Sequence, residues 1–417
     1  MVASTSNNIL VQVQTYQKGM LALQSNYGCF KTTANTKFLN FQNLTANLGD
    51  SVSFDLPYKF VATNGLVASF EAIQQRQHTL TCDQSANVAV PISAQQWIFT
   101  LDEFMDEIGR GCVMELGSKI EANIAENCVT GTYRYYGDGV NPINQYSQLP
   151  QMLAFFRNIG MPKVDTRCYL SDMTVPSLVA DAQTKFVPTR NERLAQSWNL
   201  GSFDECEFYR SNLLPLHTSG SVGQNGSTLT VVSVTRNAAG AISSITFSGA
   251  PSASDADAVK QYDKFTFQDG VSGKPNVRFT TFYGHLPSQS PVQFQAAANA
   301  ESTGGSQVTI TLDPPLQAAA GQNQNISTDI QVGMQVKSLP NFRAGLVTAG
   351  NPLYVAMPRL PDQSPYPTSS AQDPEMGIST RMYTGALFGQ NVQGTVYDAL
   401  WGSTLVKEYA MAVIQPE

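Results

Sequence analysis

Charge is what this sequence has least of. Charged residues make up 14% of its 417 positions, against roughly 25% in an average soluble chain. Gln, Asn, Ser and Thr supply the polarity instead, and a weakly charged surface is easily desolvated against a partner. The net charge is −7, and Lys and Arg gather on no face, which argues against nucleic acid as a gripped ligand. The nearest basic cluster, Lys185, Arg190 and Arg193, is interrupted by Glu192 and reads as a solvated helix end. Histidine is scarce: His78, His217 and His285 are the three, none with a second His or Cys at metal-ligand spacing. The six cysteines lie far apart with no CxxC, a pattern that fits reduced thiols and a cytoplasmic setting rather than a disulfide framework. No run approaches the ~18 apolar residues of a membrane span. The first residues lack a basic stretch followed by an apolar core, so no signal peptide is expected.

What is present is organised in blocks, and a chain of this length supports two or three cores. Ile9, Val13, Tyr16, Met20 and Leu23 share one helical face, giving a helical arm within 1–50. No acid precedes Asp50. From 51 to 99 the pattern is extended, with two β-rich runs around Asn64-Gly65, a strong hairpin signal. Such an excursion has little core of its own and needs a neighbour to lie on. A long helix is expected over 101–128, followed by helices near 146–159 and 173–183 with a strand, "RCYLS", between them. Residues 219–338 differ sharply: "STLTVVSV", "ISSITFS", "YDKFTFQ", "VRFTTFYG", "PVQFQA" and "QVTITL" are short alternating runs, the spacing of a small β-barrel or sandwich. An α/β character then returns to the end. The β block therefore reads as an insertion within a discontinuous domain.

The segment 101–128 crowds seven carboxylates into one expected helix: Asp102, Glu103, Asp106, Glu107, Glu115, Glu121 and Glu126. At about 100° per residue they scatter around most of the circumference. Glu103, Glu107 and Glu121 share a face, but Glu121 lies ~21 Å along the axis from Glu107. A di-metal carboxylate helix needs an inward Glu-x-x-His pair, and this segment has no His. The apolar positions are more orderly: Phe104, Ile108, Cys112, Leu116, Ile120, Ile124 and Cys128 recur at intervals of four. That interval overshoots 3.6, so the stripe creeps by about 40° per step and winds around a helix up to ~42 Å long. Such a helix must touch different partners along its length.

Other motifs fail on inspection. "HTSGSVG" at 217–223 is not G-x-S-x-G and lacks the strand-to-helix elbow. "QDGVSGKP" imitates a phosphate loop, but Gln268 stands where the first glycine belongs and Pro275 where Ser or Thr must follow the lysine. "SDADAV", with Asp255 and Asp257, falls short of a calcium loop and reads as a solvated turn. No catalytic residue, metal site or cofactor site is expected.

One stretch carries a resemblance. "NLGSFDECEFYRSNLLP", 199–215, resembles a segment of tailed-phage major capsid proteins, in which a Gly-x-Phe-Asp turn leads through a strand to Ser-x-x-Leu-Pro. The matching positions are Gly201, Phe203, Asp204, Ser211, Leu214 and Pro215. The block order is similar to the α+β Hong Kong 97-type capsid fold, and to the phage P-22 type, whose coat protein carries an inserted β-domain. The sequence departs from that type in two ways. The arm has no acid to meet a basic scaffolding protein, and Tyr262 stands where related barrels show Gly before Asp.

The resemblance implies a helical arm (1–50), an extended loop region (51–99) reaching over a neighbouring subunit, and a peripheral domain (100–164) with its spine helix at 101–128. It further implies an axial domain (165–218, completed within 339–417 with a closing peripheral strand) around the inserted β-domain (219–338). The function implied is a non-enzymatic shell subunit forming hexamers and pentamers around double-stranded DNA, without sequence-specific binding. The partners implied are itself, portal and scaffolding proteins and a decoration protein, in a virion assembled in the host cytoplasm. Residue pattern alone leaves two rivals open: a phage tail or receptor-binding protein with a sugar-binding β-module, and a cytoplasmic hydrolase.

Overall fold

The computed structural model describes residues 49, 51–62, 72–93, 108–161, 164–185, 202–358, 360–361, 368–373, 378–386 and 392–417. The arm before residue 49, the Asn64-Gly65 tip, Phe104 and Gly201 lie outside them. The chain forms two compact units, one of Met1–Phe54, Gln77–Cys128 and Asn351–Leu405, the other of Asp55–Arg76, Val129–Gly350 and Val406–Glu417.

In the first unit one long strand, Val392–Leu405, organises the sheet. Gln84–Ser93 pairs antiparallel with its residues 392–401 and Ile378–Ala386 with 393–398, while Leu353–Ala356 pairs antiparallel with its last residues, 402–405. Helix Arg110–Ala125 continues as a π-helical turn, Glu126–Thr130, and contacts Gln84–Ser93 and Val392–Leu405. Cys112, Val113 and Tyr397 form a core there with half-buried Val88, Val90, Ile108 and Met382. Along the winding stripe Ile108 is half-buried, and Cys112, Leu116, Ile120, Ile124 and Cys128 are buried. Of the described carboxylates Glu115 and Glu126 are exposed, whereas Glu121 is 1% exposed; periodicity had assigned it no burial.

Strand Ser51–Asp55 pairs with Gln77–Thr81. The described residues between them, 56–62 and 72–76, are not strand. The hairpin expected around Asn64-Gly65 falls outside the described residues. Gly402 sits where a Cβ would overlap the Thr81 carbonyl oxygen and approach Cys82 Cα to 2.9 Å. Backbone cannot yield as a flexible side chain does, so Gly402→Ala is expected to destabilise the full chain by about 3 kcal/mol, read as a lower urea midpoint with an unchanged slope.

Two large sheets and a two-stranded one, Arg278–Thr280 with Pro287–Pro291, lie in the second unit among the described residues. Apolar residues at 149, 152, 153 and 156 make one face of helix Gln148–Arg157, and all four are buried. With Val175, Leu178 and Val179 from Val175–Lys185 they pack on Cys168, Leu170, Val347, Met411 and Val413. Those last five belong to a mixed sheet ordered Tyr135–Tyr136, Ala410–Gln415, Phe342–Thr348, Thr166–Ser171, Cys206–Ser211, Ser202–Phe203. The run from 392 to 415 is therefore two strands, one in each unit, broken by a 3-10 turn at Lys407–Tyr409, where a single closing strand was expected.

The other large sheet closes on itself. Ile242–Ser248, Thr228–Arg236, Gln335–Ser338, Lys264–Phe267, Gln293–Ala296 and Gln307–Leu316 follow in order, and Ile242–Ser248 also pairs with Gln307–Leu316. Alternation explains the closure: Leu229, Val231, Ile245, Phe247, Phe265, Phe267, Phe294, Ala296, Val308, Ile310 and Leu312 all point into one core, the inward set of a small barrel. Phe294 is its hub, with ring centroids 6.3, 5.2 and 5.6 Å from Phe247, Phe265 and Phe267.

"SDADAV", read as a turn, is instead the edge strand Asp255–Val259, paired with Ala300–Thr303 beyond the barrel seam. Its acidic start, Asp257 exposed, is what an unpaired edge carries against aggregation, so the charge that looked like a turn protects a strand. Tyr262 has φ of 71°, a left-handed conformation that glycine adopts without strain.

Candidate functional site

Among the described residues no three His, Cys, Asp or Glu side chains gather as a metal site, and no helix is long and apolar enough to cross a membrane. His78 Nε2 lies 2.7 Å from Thr404 Oγ1. His217 donates from Nε2 to Asp263 Oδ1 at 2.7 Å. His285 sits at φ of 51° in an irregular turn. The three are distributed over both units and form no constellation.

The resemblance motif divides into two ends of one strand. Ser202–Phe203 and Cys206–Ser211 flank a turn in which Asp204 has φ of 49°. Arg157 clasps that turn, donating to Asp204 Oδ2 at 2.5 Å and to Asp204 O at 2.6 Å. At the far end Ser211 Oγ accepts from Leu213 N at 3.2 Å. Leu214 O accepts from Arg343 Nη1 at 3.0 Å, and Pro215 O from Ala344 N at 3.2 Å. The motif thus shapes a turn and seats a strand exit on Phe342–Thr348. It does not converge on a ligand.

Two constellations that the sequence reading missed concentrate the polar chemistry, both within the second unit. The first is a buried seam between the barrel and residues 130–135. Lys264, fully buried, donates from Nζ to Thr130 O at 2.9 Å, Thr132 O at 2.5 Å and Gln295 Oε1 at 3.3 Å. The three protons of an ammonium match these three acceptors. Gln295 Nε2 donates to Gly131 O and Asp313 Oδ2, and Asp313 also receives Lys407. Gln293 reads the Tyr135 backbone at both atoms, accepting from its N at 3.0 Å and donating to its O at 2.8 Å. Burial lowers the Lys264 pKa to about 7; Lys407 adds to the shift, while Asp313 and Asp263 oppose it.

Beside it, Asp263 receives His217, Gly220 N and Lys260 N. Ser219 bonds to Asn341 and Pro340. The start and the end of the barrel segment, at residues 217–220 and 340–341, are thereby tied into one network. A Cβ at Gly220 would come within 2.5 Å of Ala258 O, which fixes glycine at that entry.

The second constellation is the root of the excursion 55–76, where Lys59 and Arg76 converge on Glu408. Exposed apolar side chains crowd this root: Tyr58 is 43% exposed, Phe60 61% and Ile73 69%. Sequence gave a faint signal for the seam, since Lys264, Thr266, Gln293 and Gln295 are the outward positions of two strands and are mostly uncharged. Glu408 gave none, being 349 positions from Lys59.

No family model and no curated relative matches the chain. Solved structures resemble it at low identity. One from Mycobacterium phage Che8 has a TM-score of 0.46 at 7% identity, covering 93% of this chain and 90% of that one. The capsid of Ralstonia phage GP4 has a TM-score of 0.41 at 8% identity, covering 94% and 91%. The capsid of cyanophage P-SCSP1u has a TM-score of 0.40 at 9% identity, covering 93% and 87%. Likeness of this degree spans the chain without fixing its fold or function.

Proposed function

We propose that the chain is the major capsid protein of a tailed double-stranded DNA phage, built on the Hong Kong 97-type fold with an inserted barrel. The observation that carries this reading is the excursion 55–76. Its described legs, 56–62 and 72–76, form no strand, are tied by charge to Glu408, and hold Tyr58, Phe60 and Ile73 in water. A segment built that way is completed by another surface. Repeated head-to-tail contact between identical chains closes into rings and shells. The seam at Lys264 supports the same reading, since it fastens the inserted barrel to the segment that leaves the long helix.

In this reading helix Arg110–Ala125 is the spine, and the mixed sheet of the second unit with its two helices is axial. The inserted barrel braces the subunit. The chain catalyses nothing, uses no cofactor, and encloses DNA without sequence-specific contact, its net charge of −7 holding the genome without gripping it. Portal, scaffolding and decoration proteins are its partners in the virion. Light scattering of the purified chain at rising concentration tests the reading, with pentamers, hexamers and larger closed species expected. A discrete trimer would instead favour a tail or receptor-binding protein with a sugar-binding module.

A further inference from the structure

The two legs of the excursion meet at a single carboxylate oxygen. Lys59 Nζ, on the outgoing leg, lies 3.2 Å from Glu408 Oε1, and Arg76 Nη2, on the returning leg, lies 2.6 Å from the same atom. Arg76 Nη1 also donates to Pro57 O at 3.2 Å, and Leu56 N donates to Arg76 O at 2.8 Å. The guanidinium therefore ties the legs to each other as well as to Glu408. Lys59 Nζ sits 4.8 Å from the Phe282 ring centre, and Phe282 stacks on Tyr409 at 5.9 Å.

Burial works to raise the Glu408 pKa, and the two cations more than reverse it, holding the carboxyl below its usual range. Burial is also what lowers the Lys59 pKa. Glu408 Oε2 is buried with no hydrogen-bond partner, so both cations share Oε1. Two like charges on one oxygen repel each other, which makes the clamp weaker than two separate bridges and easier to open. Farther out, polar contacts from barrel loops include Gln322 Nε2 to Ala72 O at 3.1 Å and Asn323 Nδ2 to Gln74 Oε1 at 2.8 Å.

We propose that Glu408 is a latch: it holds both legs of the excursion at the turn 407–409, and opening its two ion pairs lets the legs move so that the exposed Tyr58, Phe60 and Ile73 seat on a second copy of the chain. The seating on a second copy rests on the shell-subunit reading; the latch does not. Hydrogen exchange of the full chain, kept dilute and unassembled, tests it with Glu408→Gln and, independently, Lys59→Met. The first variant is expected to speed exchange about tenfold in peptides covering 56–62 and 72–76, with barrel peptides over 228–267 unchanged. Lys59→Met, which leaves Arg76 in place, is expected to give a smaller rise confined to the same peptides.

Unchanged exchange in the excursion of both variants overturns the latch, whether or not the wild-type chain assembles. Faster exchange everywhere in Glu408→Gln, with no local rise in Lys59→Met, overturns it as well, because Glu408 then serves overall stability. A local rise in a chain that stays monomeric at every concentration leaves the clamp standing and overturns the docking on a second copy.

Discussion

Lys264→Met is expected to destabilise the second unit by about 3–5 kcal/mol at neutral pH, because it leaves the acceptors of a buried charge without their donor. Methionine matches the stem and fills the space, so the loss is one of polar satisfaction rather than of packing. Three acceptors are stranded, the Thr130 and Thr132 carbonyls and Gln295 Oε1. The two carbonyls belong to the segment that leaves the long helix, so local unfolding should begin there. Urea titration followed by tryptophan-independent circular dichroism gives the size of the loss, and hydrogen exchange over 129–136 gives its place. A variant as stable as the parent would mean that the ammonium is not what holds the seam.

The same residue gives a pH dependence with a defined sign. Its folded pKa is lowered to about 7, against the ordinary value of 10.5. Between those values the unfolded chain holds a proton that the folded chain has released, so this residue's contribution to stability rises with pH across that window. Below pH about 7 both states are charged and the full cost of burying the ammonium is present. The parent should therefore gain on Lys264→Met as pH rises from about 7 towards 9, and paired denaturation curves at the two pH values measure the difference. An identical gap at both would show that Lys264 keeps its proton throughout.

Phe294→Ala is expected to cost about 3–5 kcal/mol, the usual price of removing a buried ring from a packed core. The ring is fully buried and stands among Phe247, Phe265 and Phe267. Those neighbours lie on two other strands of the closed sheet, Ile242–Ser248 and Lys264–Phe267, whose register limits how far they can collapse into the space. Calorimetry of the full chain should show the transition carrying the barrel moved to lower temperature. A shift as small as that of a surface substitution would contradict the core assignment.

The residues themselves explain what was legible and what was not. Phe265 and Phe267, or Phe294 and Ala296, announce a strand because an inward face repeats every second position, whatever the fold around it. The face of Gln148–Arg157 is equally local. Asp255–Val259 was hidden because an edge strand and a turn both carry acids. Lys264 was hidden because a charge at an outward strand position ordinarily meets water, and here it meets the backbone of residues 130–132. The break at Lys407–Tyr409 lay inside a run with unbroken strand character. Glu408 acquires its meaning from Lys59 and Arg76, which the fold delivers from the other end of the chain. Local periodicity carries elements; the partners of a lone charge are set by topology.

The central claim is self-assembly, and electron microscopy of the expressed full chain, with and without a scaffolding protein, tests it most directly. The account predicts closed shells or free capsomers of five and six copies, with the excursion of each copy lying on its neighbour. A chain that remains strictly monomeric under all these conditions would contradict it.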